Sequence, residues 1–377
     1  MKCLLVLPRW SETHALLPAS GRPHLDLLLQ TLGFTELSVR ELEPDKSFDP
    51  TAVPEEYQLI LAQGEAGGGG RLRRSILSNL GLSLALANDE SDRLRVDGAR
   101  PLHNARGEPT GFAVKRRGRL VAFAEGSLWA VREDLQSEVH QLLHEEWAGR
   151  AVRKPSDCWL VEGRVTAAEM AQFLADGEIS QISLHPLPDG DTALLLPGHL
   201  GEDYKSYLRE RFGERLYADR ATPLEEVVGE RLRAAGKRVA LAESCTAGLA
   251  SARLSAVPGS SAYLHVGIVA YANAAKQRQL AVSESLIAQH GAVSPEVALA
   301  MARGAVLMGD ADLGVSVTGI SGPDGAAPGK PVGTVFFAAF NRDGRVLEQH
   351  AVFPGGRHQV RHQASQTALH LLRRMAG

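Results

Sequence analysis

The chain has 377 residues, of which 44% are hydrophobic and 23% charged, and its formal net charge is -3. This size predicts two or three domains, each with its own core, and the charge gives no basic field for nucleic acid, so no nucleic-acid site is predicted. Three well-separated cysteines, Cys3, Cys158 and Cys245, indicate free thiols in a reducing cytoplasm. No apolar run approaches the roughly 20 residues that span a bilayer, so no membrane association is predicted.

Strand and helix patterns predict an α/β domain over residues 1–150. KCLLVL near the start and YQLILAQ at 57–63 are typical of buried strands, and HLDLLLQTLGF between them predicts a helix that ends at Gly33. The tract GEAGGGG lacks the Lys-Ser/Thr of a P-loop and is predicted to be a loop. GFAVKRRGRLVAFAEG predicts a hairpin that turns at residues 117–118, followed by a helix from about 128 to 147.

A smaller α+β segment is predicted for residues 151–220, after the linker sequence RAVRKPS. Its strands are WLVEGRV, ISQISLHPL and TALLLPGH, and its helices are TAAEMAQFLAD, opened by a threonine cap, and DYKSYLRERFG, closed by Gly213. The last domain, 221–377, opens with the helix TPLEEVVGERLRAAG. There Thr222 is the predicted N-cap, Pro223 the first helical residue and Glu225 the capping-box acid.

Hydroxyl side chains are concentrated between residues 242 and 276, which are otherwise small or apolar. A buried hydroxyl destabilises a fold unless it has a partner, so such a cluster indicates either turns and caps or a reactive polar site. The sequence RVALAESCTAGLASARL predicts a strand, a tight turn and a helix, a junction that suits a phosphate or carboxylate. For Ser244 or Thr246 alone, a helix cap is the favoured interpretation, as it is for the serines after Pro258-Gly259.

Further polar residues follow two predicted strands. VGIVAY leads to Tyr271, Asn273 and Lys276, and GVSV leads to Thr318 and Gly319. Ligands of open α/β sheets bind at the carboxyl ends of strands, so these side chains predict one site together with Ser244. A buried lysine amine with a lowered pKa can take a proton from a serine hydroxyl.

Seven motifs in the last domain resemble the CinA C-terminal domain, the family of nicotinamide mononucleotide deamidases, over about residues 222–377. They are AESCTAG, VPGSSAY, GIVAYANAAK, HGAVSPEVALAMA, VTGISGPDG, KPVGTV and FPGGR. The resemblance implies a three-layer α/β fold and a homodimer that hydrolyses nicotinamide mononucleotide to nicotinic acid mononucleotide and ammonia, without a cofactor or metal. Ala247 stands where the family usually has a second glycine, and a small residue is expected to be tolerated there.

The resemblance also implies roles for individual residues. A serine of the GSS turn is the nucleophile, and we assign Ser261, with Ser260 as the alternative. Lys276 is its general base, and Tyr271 assists proton transfer or orientation. The residues predicted to hold the nucleotide substrate are Ser244, Thr246, Asn273, Thr318, Gly319 and Arg357.

The front half resembles the rest of full-length CinA proteins more weakly. That resemblance implies a molybdopterin-binding-like domain with metal-dependent ADP-ribose pyrophosphatase activity, followed by KH-like segments. Here the family's GDELL and GGLGPTxDD are replaced by LPRWSETHALLP and QGEAGGGGRLRRS, which has no paired aspartates. Because a hard cation needs carboxylate oxygens, we predict that the divalent-metal site is absent and the pyrophosphatase activity lost.

Two alternatives remain at the level of sequence. One is a non-catalytic nucleotide-binding or interaction protein linked to competence or DNA damage. The other is a related amidase with a different substrate. Ser261, Tyr271 and Lys276 favour an enzyme over a binder, because a pure binder has little need of a serine beside a candidate base.

Overall fold

The chain folds into three units, each built on its own sheet, in a computed structural model. The structure describes residues 2–8, 29, 34, 36–42, 46–64, 71–83, 96–103, 109–125, 142, 157–166, 168, 169, 172, 182–187, 189–196 and 201–377. The three sheets confirm the predicted multi-domain α/β class. Among these residues, no helix combines the length and the apolar character needed to cross a membrane.

The front unit is a mixed six-stranded sheet in the order β2-β1-β3-β6-β5-β4. Its elements are β1 (Lys2–Pro8), β2 (Glu36–Leu42), β3 (Tyr57–Gly64), α1 (Arg71–Leu80), β4 (Arg100–His103), β5 (Pro109–Arg116) and β6 (Arg119–Glu125). The predicted strands β1 and β3 are confirmed, and so is the hairpin, which turns through Arg117 at a φ of 49°. The helices predicted at HLDLLLQTLGF and 128–147 lie outside the described residues, except for Leu29, Phe34 and Leu142.

The middle unit is a four-stranded antiparallel sheet in the order β10-β7-β9-β8. Its elements are β7 (Asp157–Val161), β8 (Ser183–Pro186), β9 (Thr192–Leu196), α2 (Glu202–Phe212) and β10 (Leu216–Ala218). The predicted threonine cap is present, because the Glu169 amide donates to Thr166 Oγ1 at 3.1 Å and Glu169 Oε2 accepts from the Thr166 amide at 3.1 Å. Most of the helix predicted after Thr166 lies outside the described residues.

The last unit is a three-layer α/β/α domain, as the resemblance implies. Its elements are α3 (Leu224–Ala234), β11 (Val239–Glu243), α4 (Leu249–Ser255), β12 (Leu264–Val269), α5 (Asn273–Leu280), α6 (Glu284–His290), α7 (Pro295–Met308), β13 (Leu313–Gly319), β14 (Thr334–Asn341), β15 (Val346–Val352) and α8 (Arg357–Ala376). The sheet order is β12-β11-β13-β14-β15, with the first three strands parallel. α7 covers one face, and α8 with α3 and α4 covers the other.

The start of α3 differs from the predicted capping. The N-cap is Pro223, one residue later than expected, and the Thr222 hydroxyl donates to the Glu226 carboxylate. Glu225 is buried and lies 2.8 Å from Arg253 Nη2 on α4. The reason is energetic: a guanidinium buried this deeply needs a carboxylate, and that long-range requirement outweighs a local cap.

Candidate active site

The carboxyl ends of β11, β12 and β13 lie level with one another at one edge of the last domain. Glu243, the last residue of β11, is in register with Val269 of β12 and Val317 of β13. Residues that follow these strands, among them Ser244 and Tyr271, therefore gather at the same edge. This is the edge where open α/β sheets bind ligands.

A buried Ser244–Lys276 pair lies at this edge. Lys276 is one turn into α5, and its Nζ donates to Ser244 Oγ at 3.0 Å and to the carbonyls of Ala270 at 2.9 Å and Tyr271 at 3.1 Å. The lysine side chain is almost wholly inaccessible, and this burial lowers its pKa. The site thus combines a hydroxyl with an amine that loses its proton more readily than a free lysine does.

Ser260 and Ser261 lie at the opposite edge of the sheet. They form a 3-10 turn that immediately precedes β12, whereas Lys276 follows β12. At a strand rise of about 3.3 Å per residue, the strand alone separates the two ends by roughly 17 Å. The predicted pairing of Ser261, or of Ser260, with Lys276 is therefore corrected, because the hydroxyl beside the lysine is Ser244.

The VPGSSAY motif has a structural role in this domain. Ser260 Oγ donates to the Ser255 carbonyl at 3.3 Å, and the buried Tyr263 hydroxyl donates to the Leu254 carbonyl at 3.3 Å. A Cβ added at Gly229 of α3 would come within 2.6 Å of the Tyr263 hydroxyl oxygen. The motif thus fastens the end of α4 and the start of β12 against α3.

The turn after Ser244 is fixed by Glu243. The Glu243 carboxylate accepts from the amides of Ala250 at 3.1 Å and Ser251 at 2.8 Å, and from Ser251 Oγ at 2.6 Å. The Glu243 carboxylate therefore occupies the amides at the first turn of α4. The sequence predicted that these amides bind an external anion. An external phosphate cannot use them, so the phosphate contact expected there is not formed by these groups.

Ala247 lies in the left-handed backbone region with a φ of 52°, and Gly248 follows at 90°. A left-handed conformation costs a residue with a Cβ about 1–2 kcal/mol. A glycine avoids this strain, but its greater conformational freedom in the unfolded state cancels part of the gain in stability. We therefore expect Ala247→Gly to stabilise the chain by about 0.5–1 kcal/mol in urea unfolding. Ala252→Gly, inside α4, is the control and should destabilise it by a similar amount. If both substitutions destabilised the chain equally, the backbone of Ala247 would not be strained.

Cys245 directly follows the serine and does not compete with it. The thiol is buried, and this burial raises its pKa to about 12. A protonated thiol is a poor nucleophile at neutral pH. Ser244 is therefore the candidate nucleophile of this turn.

Thr246 and Arg361 complete the inner wall of the site. The Thr246 side chain is fully buried, and its Oγ1 has no hydrogen-bond partner among the described residues. Its carbonyl accepts from Arg361 Nη2 at 2.8 Å. Arg361 and Glu243 are not among the residues predicted from sequence. The signal for Arg361 is its spacing of four residues from Arg357 on one helix, which places both on the same face.

Arg357 and Tyr271 form the outer part of the site. Arg357 is the first residue of α8, and it donates from Nη2 to Tyr271 Oη at 2.9 Å and from Nη1 to the Gly322 carbonyl at 2.9 Å. The Tyr271 side chain is exposed, which places this pair at the mouth. The structure thus brings together two residues that the sequence assigned to one site from distant segments.

The other predicted binding residues are less available to a ligand. Thr318 is buried, and its hydroxyl donates to the Ala292 carbonyl at 2.7 Å. A Cβ on Gly319 would come 2.7 Å from the Thr334 carbonyl oxygen, so glycine there serves strand packing. Asn273 is exposed at the start of α5. Among the described residues, no group of three or more His, Cys, Asp or Glu side chains could hold a metal ion.

Residues 221–376 match the family described as the CinA C-terminal domain. A CinA-like protein of Anaeromyxobacter sp. (strain K) is 47% identical over 190 residues, which cover 49% of this chain and 46% of that protein. One of Mycobacterium marinum (strain ATCC BAA-535 / M) is 41% identical over 208 residues, 55% of this chain and 47% of that protein. The chain thus spans about half the length of these curated relatives.

Solved structures are similar to separate parts of the chain. The competence/damage inducible protein CihA from Agrobacterium tumefaciens is 39% identical and aligns with a TM-score of 0.39, covering 40% of this chain and 91% of that one. A molybdenum cofactor biosynthesis protein B is 16% identical, with a TM-score of 0.24, and covers 38% of this chain and 92% of that one. The molybdopterin-binding-like identity of the front domain stays a prediction.

Proposed function

Residues 221–376 belong to the CinA C-terminal domain family, and from this premise we propose that the domain hydrolyses the carboxamide of nicotinamide mononucleotide. The products are nicotinic acid mononucleotide and ammonia. The observation that carries the proposal is the 3.0 Å contact between Lys276 Nζ and Ser244 Oγ, made by an almost wholly buried lysine. A hydroxyl activated by an adjacent base is the nucleophile that covalent amide hydrolysis uses.

In the proposed mechanism, neutral Lys276 takes the proton of Ser244 as the serine oxygen attacks the amide carbon. The resulting ammonium returns that proton to the amide nitrogen, and ammonia leaves as the acyl-serine forms. Lys276 then takes a proton from water, the hydroxide attacks the acyl carbon, and the carboxylic acid departs as the serine is reprotonated. One lysine thus serves as base and acid in both halves of the reaction.

The neighbouring groups supply binding rather than proton transfer. The Thr246 hydroxyl, two residues after the serine, has no hydrogen-bond partner among the described residues and is a candidate donor to the substrate. Arg357 and Tyr271 at the mouth offer a guanidinium and a phenol, and the guanidinium suits the nucleotide phosphate. Ser244, assigned from sequence to substrate binding, becomes the proposed nucleophile.

Ammonia release from nicotinamide mononucleotide by the full chain tests the proposal. We expect turnover with this substrate, and competition by other carboxamide nucleotides shows how far the site is selective. Binding of the nucleotide without ammonia release would favour the alternative of a non-catalytic binding protein. Release from another amide, with none from nicotinamide mononucleotide, would favour the related amidase.

The reaction should accelerate as the pH rises. Burial lowers the pKa of Lys276, so the folded protein reaches the neutral amine at a lower pH than a free lysine does. We expect kcat to increase through that lowered pKa and then to level off, and Lys276→Met to abolish turnover while nucleotide binding persists. The pH profile of kcat and a binding titration measure this. Loss of both binding and turnover would make Lys276 a binding residue.

Three further expectations concern the chain as a whole. The homodimer, the cytoplasmic location and the lost pyrophosphatase activity of the front domain stay predictions. For the last of these, we expect the full chain to release no AMP from ADP-ribose when a divalent cation is supplied, because the paired aspartates of the family are replaced. AMP release that EDTA abolishes would contradict it.

A further inference from the structure

A second cleft of about 500 Å³ lies between the middle unit and the last domain. One wall comes from the turns that follow β7 and precede β9, at residues 162–164 and 189–191. The other comes from the end of β15 and the face of α8 that bears Gln363 and Gln366. The lining does not include Ser244, Lys276, Tyr271 or Arg357, so this cleft is separate from the proposed catalytic site.

The acidic floor of this cleft is already neutralised. Asp191 Oδ2 accepts from Gln366 Nε2 at 2.6 Å and lies 2.8 Å from His370 Nε2, and its Oδ1 accepts from the Gly163 amide at 2.9 Å. Glu162 lies 2.6 Å from Arg373 and 3.0 Å from Arg374. The side chains of the floor are therefore held in place by contacts within the protein, and the carboxylates of Asp191 and Glu162 already have protein partners.

Glutamine side chains with hydrogen-bonding groups that have no partner among the described residues indicate the chemistry of a ligand. Gln349 uses its Oε1 to accept from Arg374, and Gln359 uses its Oε1 to accept from the Gly356 amide, which leaves both NH₂ groups without a partner among the described residues. Gln363 donates only weakly through Nε2, to Pro354 at 3.4 Å and to Gln359 at 3.3 Å, and its Oε1 accepts nothing there. Donors and an acceptor of the amide type thus line one cavity.

An aromatic ring and an acid complete the lining. Phe353 is half-buried at the end of β15, and Asp189 is buried on the facing wall. Carboxamides recognise the paired donor and acceptor edge of a nucleobase, aromatic rings stack on its face, and an acidic side chain accepts from ribose hydroxyls. The lining also holds Arg164, whose positive charge is offset by the negative charge of Asp189, so with the floor neutralised no excess positive charge remains to hold a phosphate.

We propose that this cleft binds an uncharged nucleoside, with the base at Phe353 and the three glutamines and the ribose hydroxyls at Asp189. The volume is within the range of small-molecule sites and exceeds that of a single sugar ring. The site does not depend on the amidase proposal, because none of its residues takes part in that reaction.

Calorimetric titration of the full chain with adenosine, guanosine, cytidine and uridine tests the proposal. We expect at least one to bind with a Kd of about 0.1 mM, a value typical of a ligand this small. Gln363→Leu and Gln349→Leu should each weaken binding about tenfold. Gln289→Leu, on the exposed face of α6, is the matched control and should change nothing. Gln363→Leu should keep the far-UV circular dichroism spectrum and the thermal unfolding midpoint of the wild type, which reports that the domain remains folded whether or not the amidase proposal holds.

Competition separates this cleft from the catalytic site. Nicotinamide mononucleotide should not displace the bound nucleoside, and Ser244→Ala should bind it as the wild type does. The proposal is overturned if none of the four nucleosides binds, if nicotinamide mononucleotide displaces the ligand, or if both glutamine variants bind like the control. Tenfold tighter binding of adenosine 5′-monophosphate than of adenosine, lost in the same variants, would overturn the uncharged character of the ligand.

Discussion

Ser244→Ala is expected to lower kcat for deamidation of nicotinamide mononucleotide by about 10⁴-fold, because loss of a nucleophile leaves only the contribution of binding and electrostatics. The fold should be retained, since Lys276 keeps its bonds to the carbonyls of Ala270 and Tyr271 and Ser244 contributes no large side chain to the core. Steady-state kinetics together with a nucleotide-binding titration measure the effect. Binding should persist, because the group proposed to hold the phosphate is Arg357 at the mouth of the site.

Ser261→Ala is the matched control. Its hydroxyl is exposed at the opposite edge of the sheet, before β12, so kcat should remain within about twofold of the wild type. If Ser261→Ala were inactive and Ser244→Ala active, the nucleophile would belong to the GSS turn and would have to meet a lysine across an interface between copies. The pair of variants therefore discriminates between the sequence assignment and the geometric one.

The strands and the site edge could be predicted from sequence because they depend on local patterns. Apolar runs gave β1, β3, β11 and β13, and the polar residues that follow such runs must share an edge when the strands are parallel. Lys276 and Tyr271 were found in this way. Whether a side chain lies at the beginning or at the end of a strand depends on the neighbouring residues alone, so it can be predicted from a single sequence.

The predicted pairing of Lys276 with a serine of the GSS turn differs from the observed contact with Ser244 for a topological reason that the sequence could have revealed. A connection between parallel strands leaves from the carboxyl edge of one strand and returns to the amino edge of the next. VPGSSAY directly precedes the strand VGIVAY, so it had to lie at the amino edge, whereas Ser244 follows its strand and lies at the carboxyl edge. Following the chain direction would have paired Lys276 with Ser244.

Other features depend on contacts between distant segments and had no local signal. Glu225 fits a capping box by spacing, yet it pairs with Arg253, 28 residues away. The contact between Asp191 and His370 spans 179 residues. A buried charge takes whichever partner the fold brings to it, and a single sequence does not say which segments will meet.

The Asp191 contacts carry the second large prediction. Asp191 is buried between the middle unit and α8, where its carboxylate accepts from the Gly163 amide, Gln366 and His370. Asp191→Ala removes the acceptor and leaves three donors unpaired, two of them on the buried side chains of Gln366 and His370, so we expect it to lower the free energy of unfolding by about 3–5 kcal/mol. Thermal and urea unfolding of the full chain measure this. Asp343→Ala, an exposed site between β14 and β15, is the control and should cost under about 0.5 kcal/mol.

The dependence on pH distinguishes a charged network from simple packing. Burial opposes the ionised form of Asp191, but His370 and the other donors outweigh it, and the pKa of this carboxyl lies below its usual range. A carboxyl whose pKa is lower in the folded state stabilises the fold above its unfolded pKa, and that stability is lost as the pH falls through the folded value. Wild type should therefore lose its advantage over Asp191→Ala in acid. Asp191→Asn keeps one acceptor oxygen but no charge, so at neutral pH its stability should lie between the two, whereas a purely steric role would make it equal to the wild type at every pH.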